Sequence, residues 1–251
     1  MGQKVNPLVF RVNFTEKYRS NWFVNPSTYQ QIILQDYLIR QNIFNFFEKI
    51  NYLKNKKNLS HFLNVTEITI SRKFDQIFIS IFIAALSSRI EQEKFDLILS
   101  KLQAILLKKL SFLPSNKFTN KLNYLNYPKI VITLKQSSTP NLNAIFIAKC
   151  LINELENRVR FRKALKSIMK SIYKQDKANQ LLGIKINISG RLNGIEMARS
   201  EWIRQGRIPL QTISSTIDYC NETAQTKYGI LGVKVWVCKR KNVLNKEVIL
   251  K

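Results

Sequence analysis

Apolar positions at Ile33, Tyr37, Ile43, Phe44, Phe47 and Ile50 recur close to every 3.6 residues and predict an amphipathic helix over 28–53. After a polar, Lys/Asn-rich loop at 51–64 the period changes. Val65 to Ile70 alternates as a half-buried strand, and Ile77 to Ile83 reads as a more buried one, with Arg72 to Gln76 as the hairpin connection. Helical spacing returns with Phe95, Leu97, Ile98, Leu102, Ile105, Leu106 and Leu110 over 91–110, and Lys129 to Leu134 goes back to strand. Helix, strand, strand, helix, strand is the order of a compact α+β unit.

A second unit opens near Pro140. Positions Ile145, Lys149, Ile152, Leu155 and Val159 suggest one helix, and Phe161, Leu165, Ile168, Met169 and Ile172 suggest its successor. Four strand candidates follow at 182–190, 197–208, 212–222 and 230–239, punctuated by Asn193-Gly194, by Gly206 with Pro209, and by Tyr228-Gly229. Glycine itself divides the chain: after Gly2 there is none until Gly183, so only the last third can make tight glycine turns. The expected organisation is an extended arm over 1–26 anchored by Trp22 and Phe23, an α+β domain over 27–138, a second domain over 139–240, and a peripheral basic tail over 241–251.

Charge changes the picture more than composition does. The 251 residues carry 41 Lys and Arg against 16 Asp and Glu, a formal net charge of +25. Such an imbalance opposes compaction unless a polyanion neutralises it, which points to nucleic acid or an anionic membrane surface. A hydrophobic content of 45% still supports a packed core and argues against a disordered basic tail. Between 97 and 153 there are eight lysines and no acid, the pattern of a phosphate-facing surface.

The sharpest local feature is a four-residue ladder, Arg158, Arg162, Lys166, Lys170 and Lys174, joined by Arg160, Lys163 and Lys177, with Asp176 as the one acid between 158 and 177. Residues four apart stack on one side of a helix, so the ladder predicts a basic stripe opposite the apolar stripe through Leu165, Ile168 and Ile172. Like charges at that spacing repel, and the missing acids favour nucleic-acid contact over a merely solvated face. A second cluster, Arg191, Arg199, Arg204 and Arg207, surrounds Trp202 and suits RNA with its exposed backbone and bases. Trp202 and Trp236 are expected in the core, because both sit inside strand patterns.

No catalytic template is present: there is no Gly-rich phosphate loop, no His-Glu-x-x-His, no Cys-x-x-Cys and no Gly-x-Ser-x-Gly elbow. Cys150, Cys220 and Cys238 lie too far apart for a zinc-site pair, and His61 is the sole histidine. No metal, no cofactor and no catalytic residue is therefore expected, and a nuclease or lyase is the rival that this leaves without a site. The longest apolar run, Ile77 to Leu86, falls short of the roughly 20 residues that span a bilayer. No membrane partner is expected, and the polar opening gives no sign of a transit or secretory segment. A membrane-surface or DNA-packaging role through charge alone sits poorly with so many ordered elements.

Several blocks resemble the bacterial-type and plastid small-subunit ribosomal protein S-three family. They are Met1-Gly2-Gln3-Lys4-Val5-Asn6-Pro7, Phe10-Arg11 and Arg19-Ser20-Asn21-Trp22-Phe23, then Gly183-Ile184-Lys185, Ser189 to Gly194, Ala198 to Trp202, Gly206 to Leu210, Ile217 to Tyr219 and Tyr228 to Trp236. The resemblance is strong over 1–25 and 140–239 and holds in outline between them. It implies a type II K-homology-like domain followed by the family's α+β C-terminal domain, and a place in the head of the small subunit near the channel where mRNA enters. It further implies binding to small-subunit rRNA and mRNA, with neighbouring proteins of the S-ten, S-fourteen, S-four and S-five types. The family's basic residues that line that channel and help unwind mRNA match Arg162, Lys163 and Lys166. Gln3, Lys4, Arg11 and Arg19 become rRNA-contact candidates beside Arg191, Arg199, Arg204 and Arg207. Two departures stand out. The loop where K-homology domains carry Gly-x-x-Gly is here Ala84 to Lys94, with Ser88-Arg89-Ile90-Glu91 and no glycine, so close approach to a phosphate backbone is not expected there. Val9 and Asn13 also stand where the family commonly has glycine. Tyr18 to Phe23 and the Asp218-Tyr219-Cys220 ending look plastid-like, which implies the chloroplast stroma, within the ribosome.

Overall fold

The computed structural model describes residues 4–55, 63–73, 76–85, 92–111, 129–136, 142–176, 180–240 and 248–249. The chain is α+β and separates into two units, one formed by Met1–Lys17 with Ser138–Lys246, the other by Tyr18–Ser137 with Glu247–Lys251. The expected arm is thus not an element of its own, because its first part belongs to the C-terminal unit and its remainder to the middle one. The expected basic tail contributes a short strand. Most of the 51–64 and 113–128 loops, and the glycine-free loop around Ser88, lie outside the described residues.

In the middle unit, β1 (Ser20–Asn21), α2 (Pro26–Asn55), β2 (Leu63–Lys73), β3 (Gln76–Ala85), α3 (Gln92–Ser111), β4 (Lys129–Gln136) and β9 (Val248–Ile249) build one five-stranded sheet in the order β1-β2-β3-β4-β9. β2 and β3 are antiparallel, as a hairpin requires, and β3 and β4 are parallel with α3 as the crossover. The expected element order holds, with β2 and β3 longer at both ends and β4 extended at its C-terminal end. Ile39, Ile43 and Phe47 of α2 and Leu102 and Leu106 of α3 pack on Ile68, Ile70, Ile79 and Ile81. The apolar face of α2 differs from the expected one: Ile33 and Tyr37 are exposed, with Tyr29 and Leu34 beside them. The buried side of the helix runs instead through Asp36, Ile39, Ile43 and Phe47.

Trp22 anchors the start of this unit, donating its indole N–H to Asp36 at 2.8 Å and lying 5.8 Å from the Tyr29 ring. Asp36 also holds the buried Arg72 guanidinium. Phe23, the other expected anchor, is 93% exposed and holds nothing.

In the C-terminal unit, α1 (Pro7–Arg11), α4 (Ala144–Glu156) and α5 (Phe161–Gln175) accompany a sheet of β5 (Leu181–Gly190), β6 (Arg199–Gly206), β7 (Thr216–Thr226) and β8 (Gly229–Lys239), ordered β6-β5-β8-β7 and antiparallel throughout. One face of that sheet is apolar. Ile184, Ile186, Ile188, Val233, Val235 and Val237 bury themselves against Ile147, Leu151, Leu165 and Ile168 of the two helices. Asn143 caps α4 through its side chain, and Asp218 of β7 accepts from the Ala144 amide at 2.9 Å, which fixes where the helix begins on the sheet. At the β5/β6 edge, the backbones of Gly183 and Gly206 pair directly. A Cβ on Gly206, at φ +76, would fall 2.3 Å from the Leu182 carbonyl oxygen, so glycine is required there. Asn13, at a position where the family resemblance has glycine, takes φ +72, a conformation asparagine tolerates better than most residues.

Candidate nucleic-acid interface

α5 is where sequence and charge converge. Its buried side is Phe161, Ala164, Leu165, Ile168, Met169 and Ile172, and its exposed side carries Arg162, Lys163, Lys166, Lys170 and Lys174. At 100° per residue these five cations fall within about 120° of arc, opposite the buried stripe. The run from 162 to 174 extends roughly 18 Å along the axis. Beside it an open groove of about 870 Å³ separates α5 from β6, with Met169 and Ile203 in its floor and Lys166, Lys170, Lys174 and Tyr173 along its rim.

The ladder read from the sequence is shorter in space. Arg158 is not in the helix: it follows the C-cap of α4 at φ +61, with the Arg158 amide donating to Leu155 and the Val159 amide to Glu154. That is a Schellman turn with arginine in the left-handed position glycine usually takes, at a cost of about 1–2 kcal/mol. Arg160 is the N-cap of α5 and has no side-chain capping bond, though its carbonyl accepts from the Lys163 and Ala164 amides. Both arginines are exposed at the α4–α5 corner, next to the helical row rather than on it.

The acids near this surface are committed elsewhere. Asp176 accepts from the Gln180 and Leu181 amides, both at 3.0 Å, tying the end of α5 to β5. Glu154 accepts from the Ser167 hydroxyl and so links α4 to α5. Among the described residues, Glu201 of β6 is the carboxylate that reaches the row, 3.3 Å from Arg162 and 3.6 Å from Arg199. The Arg162 side chain is 70% exposed, so this pair adds little stability and leaves the guanidinium free to exchange partners.

The remaining candidates divide by exposure. Lys4, Arg19, Arg199, Arg204 and Arg207 are exposed, Arg19 within 3.7 Å of Glu67. Arg191 is half-buried and donates to the Ile195 and Tyr228 carbonyls. Gln3 lies outside the described residues. Arg11 does not fit an RNA contact: it is fully buried, and its guanidinium donates to the carbonyls of Pro7, Pro209, Leu210, Thr212 and Ser215. With every donor turned inward, it is a staple between α1 and the segment before β7. Trp202 also departs from expectation, being 60% exposed instead of in the core. Among the described residues, no three His, Cys, Asp or Glu gather as a metal site, and no helix is long and apolar enough to cross a membrane.

Residues 151–237, from α4 to β8, match the family described as "Ribosomal protein S3, C-terminal domain". Over nearly its whole length the chain is similar to proteins named "Small ribosomal subunit protein uS3c". It is 39% identical to that of Tupiella akineta over 244 residues, covering 95% of this chain and 98% of the relative. Identity is 38% with that of Gracilaria tenuistipitata var. liui, covering 99% of both, and 37% with that of Angiopteris evecta, covering 94% and 98%. The chain belongs to the uS3 family of ribosomal proteins. The uS3c relatives make it the plastid form, and uS3 is a structural, non-enzymatic constituent of the small ribosomal subunit that works among rRNA and other ribosomal proteins. The matched uS3 stretch contains α5 and all four strands of its sheet. What the sequence reading missed within it, the exposure of Trp202, had a signal available: Lys185, Asn187 and Ser189 alternate with Ile184, Ile186 and Ile188, so one face of β5 is polar.

Proposed function

We propose that the exposed row of α5 lines the channel where mRNA enters the small subunit and helps to open mRNA structure there. Arg162, Lys163 and Lys166 lead, with Lys170, Lys174 and the corner residues Arg158 and Arg160 extending the track. The observation that carries this reading is a continuous cationic face from which Asp176 and Glu154 are turned away by other bonds. Roughly 18 Å of helix carries five cations in line for the backbone of one strand. Arginine can take a phosphate bidentately, while lysines act as point charges that let a strand slide. The groove beside Tyr173 offers a base an apolar floor while its phosphate rests on the lysine rim. No bond is made or broken by the protein: charge holds the strand that unpaired, and re-pairing becomes less favourable.

The test is translation by small subunits carrying the Arg162→Ala, Lys163→Ala, Lys166→Ala chain. Passage through an mRNA hairpin placed ahead of the ribosome should slow several-fold, while an unstructured mRNA is read at the normal rate. Equal rates on the two mRNAs, each the same as wild type, would sink the proposal.

The exposed Lys4, Arg19, Arg199, Arg204 and Arg207, with the half-buried Arg191, are the proposed rRNA contacts, with proteins of the S-ten, S-fourteen, S-four and S-five types as neighbours. For the middle unit, we read a degenerate type II K-homology fold retained for rRNA or protein docking. The helix-strand-strand-helix-strand order and the absence of glycine between Ala84 and Lys94 support it. Micromolar single-stranded RNA binding that crosslinks to residues 86–91 of the full chain would overturn it.

A further inference from the structure

The face of the β5–β8 sheet opposite α4 and α5 is the most unusual surface of the C-terminal unit. By register it presents Lys185, Asn187 and Ser189 of β5, Ser200, Trp202 and Arg204 of β6, Tyr219, Asn221 and Thr223 of β7, and Lys234 and Trp236 of β8. No carboxylate occupies any strand position on it. The sheet's three acids, Glu201, Asp218 and Glu222, all alternate to the helix side.

The face has a closed end and an open one. At the closed end Ile208, Ile217 and Cys238 pack with Leu210 and Trp236. At the open end Trp202 lies on the edge strand, 60% exposed. The Lys185 ammonium sits 5.1 Å from the Trp202 ring and 5.2 Å from Trp236, whose ring is 5.3 Å from Tyr219. Asn187, directly across from Trp202 and Lys234, has an amide oxygen that finds no donor among the described residues. Burial and the nearby Lys4 and Arg204 charges lower the Lys185 pKa, so the cationic cluster stores repulsion that an anion would relieve.

An exposed tryptophan flanked by cations, on a sheet face with no acid, matches what single-stranded RNA needs: a π-face for a base and positive charge for its phosphates. We propose that this face binds unpaired RNA nucleotides, with Trp202 as the stacking platform and Lys185, Arg204 and Lys234 holding the phosphates. It rests on the rRNA-binding reading of the protein but is separate from the α5 row, since Trp202 and Arg204 point to the opposite side of β6 from Glu201, Ile203 and Gln205.

The probes are a labelled eight-residue oligoadenylate and an abasic strand with the same number of phosphates, titrated into the full chain by fluorescence anisotropy. Trp202→Ala should weaken oligoadenylate about five- to hundred-fold, the loss of one stacked base, and leave the abasic strand unchanged. Trp202→Phe should lose only part of that. The Arg162→Ala, Lys163→Ala, Lys166→Ala chain should weaken both probes alike. If Trp202→Ala leaves oligoadenylate binding intact, or weakens the abasic strand equally, this proposal fails while the α5 reading survives. Retention of RNA affinity with loss of a neighbouring protein from reconstituted subunits would assign the face to protein and also overturn it. Should Trp202→Ala not fold, ultraviolet crosslinking of wild-type protein decides: adducts at Trp202 are expected, and adducts confined to α5 refute the proposal.

Discussion

Arg11 offers the cleanest separation between a charge that binds RNA and one that holds the fold. Replacing it with methionine keeps most of the buried volume and removes all the donors. Five carbonyls and the Ser215 hydroxyl then lose their partner. Nη2 serves four acceptors with two hydrogens, so with the Nε and Nη1 bonds about four charge-assisted bonds are at stake, each worth about 1.5–3 kcal/mol. Relaxation and water entry return part of that, which leaves a net loss of about 3–5 kcal/mol. At about 2–4 °C per kcal/mol the melting transition of the C-terminal unit should fall by about 6–20 °C. Arg11→Lys should recover only a part, because an ammonium cannot span acceptors on both sides of a planar fork. The assay is calorimetry paired with hydrogen exchange at 207–215, where protection should drop first. In parallel, RNA affinity measured against salt should keep its slope. A contact to phosphate would do the reverse, lowering the slope by about one and leaving the melt untouched. That outcome would refute the staple.

Two further predictions follow from buried groups. Asp36→Ala leaves the Arg72 guanidinium, whose side chain is 12% exposed, without its counter-charge and frees the Trp22 indole. Chemical denaturation followed by tryptophan fluorescence should show a loss of about 3–5 kcal/mol in the middle unit, and an unchanged midpoint would count against the pair. Burial pushes the Cys150 thiol up to about 11, with Glu154 adding to it. Iodoacetamide at pH 8 should therefore alkylate native Cys150 roughly a hundred-fold more slowly than a free thiol of pKa 8.5, and labelling should rise as pH climbs through 11.

The elements themselves were legible in the sequence because each has one apolar face and a clear period. α5 and β5 through β8 lie within a few residues of where spacing and turn residues put them. Three features were not legible, for separable reasons. Arg158 continues a four-residue spacing that the backbone does not follow, since the turn after α4 interrupts the helix. Arg11 reads as one more exposed cation until a segment two hundred residues away closes over it. Trp202 alternates correctly for a strand, but alternation does not say which face α4 and α5 will cover, and the tryptophan occupies the other one. The same limit applies to Ile33 and Tyr37, apolar residues on helical spacing that fall on the exposed side of α2.

The Arg11 staple also imposes an order on synthesis. Its partner carbonyl on Ser215 is 204 residues later in the chain. At about 5–20 residues per second, the guanidinium spends roughly 10–40 s outside the ribosome that makes it before its acceptors exist. During that interval the strands and helices of the middle unit can all emerge except β9, so the first segment made is among the last to find its place. A newborn chain therefore carries an Arg11 guanidinium without most of its acceptors for most of its synthesis, and residues 209–215 must be made before the staple can close.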